Sequence, residues 1–171
     1  MIAMETPAFV TDPVFLPAIL SSVAEALTMC NCPAQCVGVS RAPLRDPGTV
    51  TGLIGVHGNV SGFVSLNMVA SVARATVGGL LQDRFDAITA QVIDGVGELT
   101  NIIAGGVKRG LRSSPWSFSH MTVPSVIIGQ QYQIAYARGL EYLAVTFEHQ
   151  NENAVMLDER LFQVTLSLIK L

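Results

Sequence analysis

The sequence is poor in charge: Asp, Glu, Lys and Arg make up only 13% of its 171 residues, while 50% are hydrophobic. So sparse a polar shell leaves apolar area on the surface, and a homo-oligomer in which another subunit covers part of it is expected. The ten Lys and Arg are scattered, and the formal net charge is -3 with a pI near 5.5. That excludes a general nucleic-acid binder, because phosphate neutralisation needs dense cations. Long apolar runs are missing as well. No segment reaches the roughly 18 uninterrupted apolar residues of a membrane span, and the N-terminal region is interrupted by Glu5, Asp12, Pro13, Pro17 and Glu25. It also lacks the basic start of a signal peptide, so a cytoplasmic location is expected.

Cysteine is scarce and confined to one place. Cys30, Cys32 and Cys36 lie in CNCPAQC, which invites a zinc reading because soft thiolates bind zinc. A fourth ligand is missing, however. His57, His120 and His149 are each isolated, and the cysteine spacing does not match paired zinc knuckles, so reduced cysteines and no metal are expected.

Nothing marks a domain boundary: there is no linker, charge run or low-complexity tract. Residues 1–171 are therefore read as a single domain long enough to bury its own core, with 1–10 a loose N-terminal arm. Asp12 followed by Pro13 reads as a helix start, or Pro17 delays the regular helix, which runs to about Thr28. Strands are expected over 35–41, 50–58 and 62–69, the last two joined by a Gly58 to Gly62 turn, then a short helix over 71–81 and a long one over 86–111. Further strands follow over 123–128, 131–137, 141–149 and 162–170. The fold class is α+β, with two main α-helices packed on a mostly antiparallel β-sheet.

The long helix carries the chemistry. At about 100° per residue, Asp94, Glu98, Asn101, Gly105, Lys108 and Arg112 fall within roughly 40° of one line. Val92, Val96, Leu99, Ile103 and Val107 take the opposite side, so the polar line faces solvent or a partner. Gly95, Gly97, Gly105, Gly106 and Gly110 each cost roughly 1 kcal/mol relative to alanine. Gly106 is expected to pack closely, and Gly105, on the polar line itself, to let a partner approach. Lys108, Arg109 and Arg112 form the one basic cluster. It reads either as cations complementing a helix C-terminus or as a docking patch for an acidic partner.

Three polar residues on a helix also describe an ordinary solvated face, but their order is specific. Glu98 lies four residues after Asp94, Asn101 three after Glu98, and Pro124 follows after 22 intervening residues. With GELTNIIAGGVKRGL and VPSVIIG around them, these positions resemble the signature of the CheC, CheX and FliY family of chemotaxis phosphatases. The resemblance covers most of residues 12–171 and is closest to CheX, because only one signature helix is present. In the first helix, Glu25 is followed three residues later by Thr28.

The resemblance implies hydrolysis of the aspartyl phosphate on a CheY-like response regulator. Asn101 would position the attacking water and Glu98 would dock on the regulator's active-site lysine. Asp94, Gly105 and Lys108 would meet the partner, and Pro124 would be structural, ending a loop and fixing the start of a strand. No cofactor is expected on this chain, with Mg2+ carried by the regulator. Trp116 and Phe118 are expected to pack under the loop before Pro124. The alternative is a non-catalytic module that binds a response regulator through the same helix.

Overall fold

The computed structural model describes residues 12–41, 49–130, 132, 134, 139–150 and 154–171. The expected N-terminal arm lies outside them, as does most of the expected strand 131–137.

Helix α1 spans Phe15–Met29. It starts between the two expected positions, because Asp12 Oδ1 accepts the Val14 N–H at 3.1 Å, while Pro17 sits in the first turn, where its missing donor has no intrahelical partner to lose. Phe15, Ala18, Ile19, Ser22, Val23, Ala26 and Leu27 bury one face. Asn31 ends the run at φ 49, a left-handed position that asparagine tolerates.

The strands are β1 (Ala34–Ser40), β2 (Val50–Gly58), β3 (Val60–Met68), β4 (Phe118–Met121), β5 (Ser125–Ile128), β6 (Glu141–His149) and β7 (Leu161–Lys170). They pair in the order β1-β6-β7-β3-β2-β4, with β5 also on β2. Every pairing among the described residues is antiparallel. The β2–β3 turn closes on Asn59, so β3 starts two residues before the expected Gly62. Gly62 is a strand residue instead, and a Cβ there would lie 1.9 Å from the Ser167 carbonyl of β7.

Alternation along the central strands sends Ile54, Val64, Leu66, Val145, Val164 and Leu166 to one buried face. Among the described residues three helices cover it: α1, α2 (Ala70–Leu81) and α3 (Ala90–Leu111). Val92, Val96, Leu99, Ile103 and Val107 of α3 are at most 1% exposed. Burial of a side chain such as Leu99 or Ile103 contributes about 1.5–3 kcal/mol. The sequence expectation of two main helices and one short helix on an antiparallel sheet therefore holds. A 3-10 turn, Leu157–Arg160, leads into β7.

Candidate functional site

The site stands on α3, and missing side chains fix where that helix lies. A Cβ on Gly52 of β2 would meet Thr100 Oγ1 at 1.9 Å, so the helix rests against bare sheet backbone. Gly95 faces Val77 of α2, while Gly106 and Gly110 face Ser22 and Ala18 of α1. Added methyls at those three positions would come within 2.5–2.6 Å of their neighbours. Thr89 caps the start of α3, its Oγ1 accepting the Val92 N–H at 3.3 Å. The helix begins there rather than near Asp86, because the threonine supplies the cap.

With its aliphatic side buried, α3 turns the polar line outward. Asp94 and Glu98 are exposed, Asn101, Gly105 and Lys108 are partly exposed, and Arg112 is exposed. Among the described residues, the side chains of Asp94, Glu98 and Asn101 make no hydrogen bond or ion pair. Their donors and acceptors are left to solvent or to another molecule. Gly105 has open space beside it: the nearest atom to an added Cβ would be Arg109 Nη1 at 3.8 Å. Gly106 packs, as expected from the sequence.

Pro124 lies immediately before β5, and its Cγ is 3.5 Å from where a Gly97 Cβ would be. Gly97 is one helical turn before Asn101, so the proline braces the wall beside the carboxamide. Nothing local in the sequence connects Gly97 with Pro124, since their contact depends on how β5 pairs with β2.

The basic end of the line is partly engaged. Lys108 Nζ donates to the Ser119 carbonyl of β4 at 2.6 Å. Arg109 Nη2 reaches Glu25 Oε2 at 2.6 Å, with both side chains more than half exposed, so the pair contributes at most about 1 kcal/mol. Strand β4 was not expected from the sequence, which is why the Ser119 contact was not either. Trp116 and Phe118 are both buried. Trp116 Nε1 donates to Asp12 Oδ2 at 3.0 Å, its ring meets Phe15 edge-on at 5.2 Å, and Lys170 Nζ lies 4.2 Å from the ring centre.

Cys30 and Cys32 are buried and Cys36 is exposed. Burial, reinforced by Cys32, pushes the Cys30 thiol up to about 11, and burial raises that of Cys32. Among the described residues, no group of three or more His, Cys, Asp or Glu could hold a metal ion. Nor is any described helix long and apolar enough to cross a membrane. The polar line thus offers a carboxylate and a carboxamide one turn apart on a firmly seated helix. Such a pair can orient water and hold a cation.

Comparison with known proteins agrees with this geometry. The fold is similar to that of the chemotaxis protein CheX from Vibrio vulnificus, with 25% identity and a TM-score of 0.74 over 90% of this chain and 98% of that one. It is also similar to a CheC-like superfamily protein from Shewanella sp. PV-4, at 24% identity and TM-score 0.77 over 92% and 98% of the two chains. A third similar structure is CheX from Borrelia burgdorferi in a CheX-CheY-BeF3-Mg2+ complex, at 21% identity and TM-score 0.73 over 91% and 98%. No curated protein matches the chain. The family described as chemotaxis phosphatase CheX matches residues 50–148. That stretch includes the polar line of α3 and Pro124, and the chain belongs to the CheX family.

Proposed function

We propose that this chain hydrolyses the aspartyl phosphate of a CheY-type response regulator, with Asn101 positioning the attacking water and Glu98 docking on the regulator's active-site lysine. The observation that carries the reading is the set of Glu98 and Asn101 side chains, outward and without partners among the described residues, on a helix whose glycines fix its position. The fold likeness to a CheX captured with CheY, BeF3 and Mg2+ supports the choice of partner.

The chemistry asks little of the phosphatase. An acyl phosphate is already activated, and the regulator brings its own magnesium ion and lysine to the phosphoryl oxygens, so no metal or base is required from this chain. Water attacks phosphorus, the P–O bond to the aspartyl carbonyl carbon's oxygen breaks, and the aspartate leaves as carboxylate while inorganic phosphate is released. The Asn101 carboxamide both accepts from and donates to its surroundings, which lets it hold that water in line. A hundredfold acceleration from orientation corresponds to about 2.7 kcal/mol, within the reach of one well-placed group. Asp94 supports the rim of the contact. A cytoplasmic location follows from the substrate, and a homodimer accords with the low charge content and with Val37 and Val39 exposed on edge strand β1.

The partial burial of Asn101 favours one second reading, a module that docks on the regulator without hydrolysing it. Phosphate release from excess phosphorylated regulator with magnesium separates the two. Wild-type protein should accelerate release, and Asn101→Ala and Glu98→Ala should each lose most of the acceleration, about a hundredfold for Asn101. Equal rates for all three proteins sink the phosphatase, and binding without turnover by the wild type favours the docking module.

A further inference from the structure

Past Gly105 the polar line runs into a groove of about 700 Å³ between the C-terminal half of α3, strand β4 and the β2–β3 turn. Lys108, Arg109 and Arg112 line it together with Asn59 and Ser119, and among the described residues no carboxylate does. Three of the chain's ten Lys and Arg thus meet in one concavity of a protein whose net charge is -3. Cations at a helix C-terminus complement its dipole. That accounts for their sign but not for a carboxylate-free hollow next to a glycine with open space beside it.

We propose that this groove receives an acidic surface of the same receiver domain whose phosphoryl group meets Asn101, an inference that rests on the function proposed above. Asp94 and Glu98 precede Asn101 on the line, and the cations follow it. At about 1.5 Å per residue, Lys108 lies roughly 10 Å and Arg112 roughly 16 Å beyond Asn101 along the helix. A receiver that presents its lysine to Glu98 and a carboxylate cluster that far in the other direction docks in one orientation, since reversal sets like charges against each other. The three cations are not equally available. Lys108 holds the Ser119 carbonyl at 2.6 Å and Arg109 pairs with Glu25. The Arg112 guanidinium makes no hydrogen bond or ion pair among the described residues, and it is the group most open to a partner.

The test combines phosphate-release kinetics with direct binding of a magnesium- and beryllofluoride-loaded CheY-type receiver. Arg112→Glu should raise the receiver concentration for half-maximal rate about tenfold and weaken binding in parallel, leaving the maximal rate within about twofold. Arg112→Lys should stay near wild type. Raising salt from about 50 to about 300 mM should weaken wild-type binding more than that of Arg112→Glu. Asn101→Ala should instead lower the maximal rate. If Arg112→Glu weakens binding while Asn101→Ala leaves phosphate release untouched, the groove stands and the hydrolytic reading falls. Unchanged binding by Arg112→Glu together with salt-insensitive wild-type binding overturns the groove whatever the catalytic result. Salt-sensitive self-association lost in Arg112→Glu, with receiver binding intact, makes the occupant a second copy and also overturns it.

Discussion

Gly52 of β2 and Thr100 of α3 stand so close that a methyl group on the glycine would lie 1.9 Å from the threonine Oγ1. Asn101 is the next residue, so the depth of that contact sets how far the carboxamide projects. Gly52→Ala should cost about 1–3 kcal/mol through overpacking, lowering Tm by roughly 2–4 °C per kcal/mol. It should also reduce phosphate release. Thr100→Ala in the same chain should return part of both losses, and a double-mutant cycle with no coupling would show that the helix is seated elsewhere.

Gly105 should behave in the opposite sense. Its added methyl meets nothing closer than 3.8 Å, so Gly105→Ala should stabilise the protein by up to about 1 kcal/mol, read as a higher Tm by calorimetry. Gly105→Leu should keep the fold but raise the receiver concentration needed for half-maximal rate, because the side chain fills the approach. A loss of stability in Gly105→Ala would mean that the glycine serves packing instead.

Thiol labelling should sort the cysteines by burial. Cys36 is exposed, whereas Cys30 and Cys32 are buried with raised thiol pKa values, that of Cys30 about 11. The thiolate is the reactive form, so at pH 7.5 a maleimide should modify one thiol per native chain, and Cys36→Ser should abolish that reaction. The other two should react only in denaturant. Fast labelling of Cys30 in native protein would contradict its placement.

Acid sensitivity should trace in part to His149, which is 5% exposed and has Nδ1 buried without a hydrogen-bond partner among the described residues. Burial lowers its pKa below the ordinary imidazole value of 6.5. Between that lowered value and 6.5 the unfolded chain binds more protons than the folded one. Stability therefore falls as pH drops through this window and rises with pH across it. His149→Gln should flatten the difference in unfolding free energy between pH 5 and pH 7.5, measured by urea titration, and an unchanged slope would remove His149 from the account.

Much of this architecture was legible because period and punctuation agreed. Strands β2 and β6 have the bounds expected from their patterns, and the aliphatic and polar sides of α3 separate as the 3.6-residue period requires. Strand β4 was not legible. At four residues, with Phe118 buried and Ser119 and His120 exposed, it is too short for an alternation signal and exists because β2 offers it an edge. Helix α3 starts later than the expected residue 86, because Thr89 supplies the cap to its first turn. At the site, helical spacing identified the polar line, and the resemblance to the family signature singled out Pro124. The links of Lys108 to Ser119, Arg109 to Glu25 and Gly97 to Pro124 depend on packing and leave no periodic trace.

The position of β7 bears on how this molecule is made. Residues 161–170 follow every other described strand in the chain, yet they sit between β6 and β3 in the middle of the sheet. Until they emerge, the β1–β6 ladder and the β2–β3 hairpin have no shared edge. Translation needs about 60 more residues after Leu111, roughly 3–12 s, before β7 can join them. During that interval α3 can already pack on α1, α2, the hairpin, β4 and β5, while the edges of β3 and β6 that β7 joins stand open to another chain. The nascent chain is therefore most exposed to aggregation just before synthesis of the strand that completes its core.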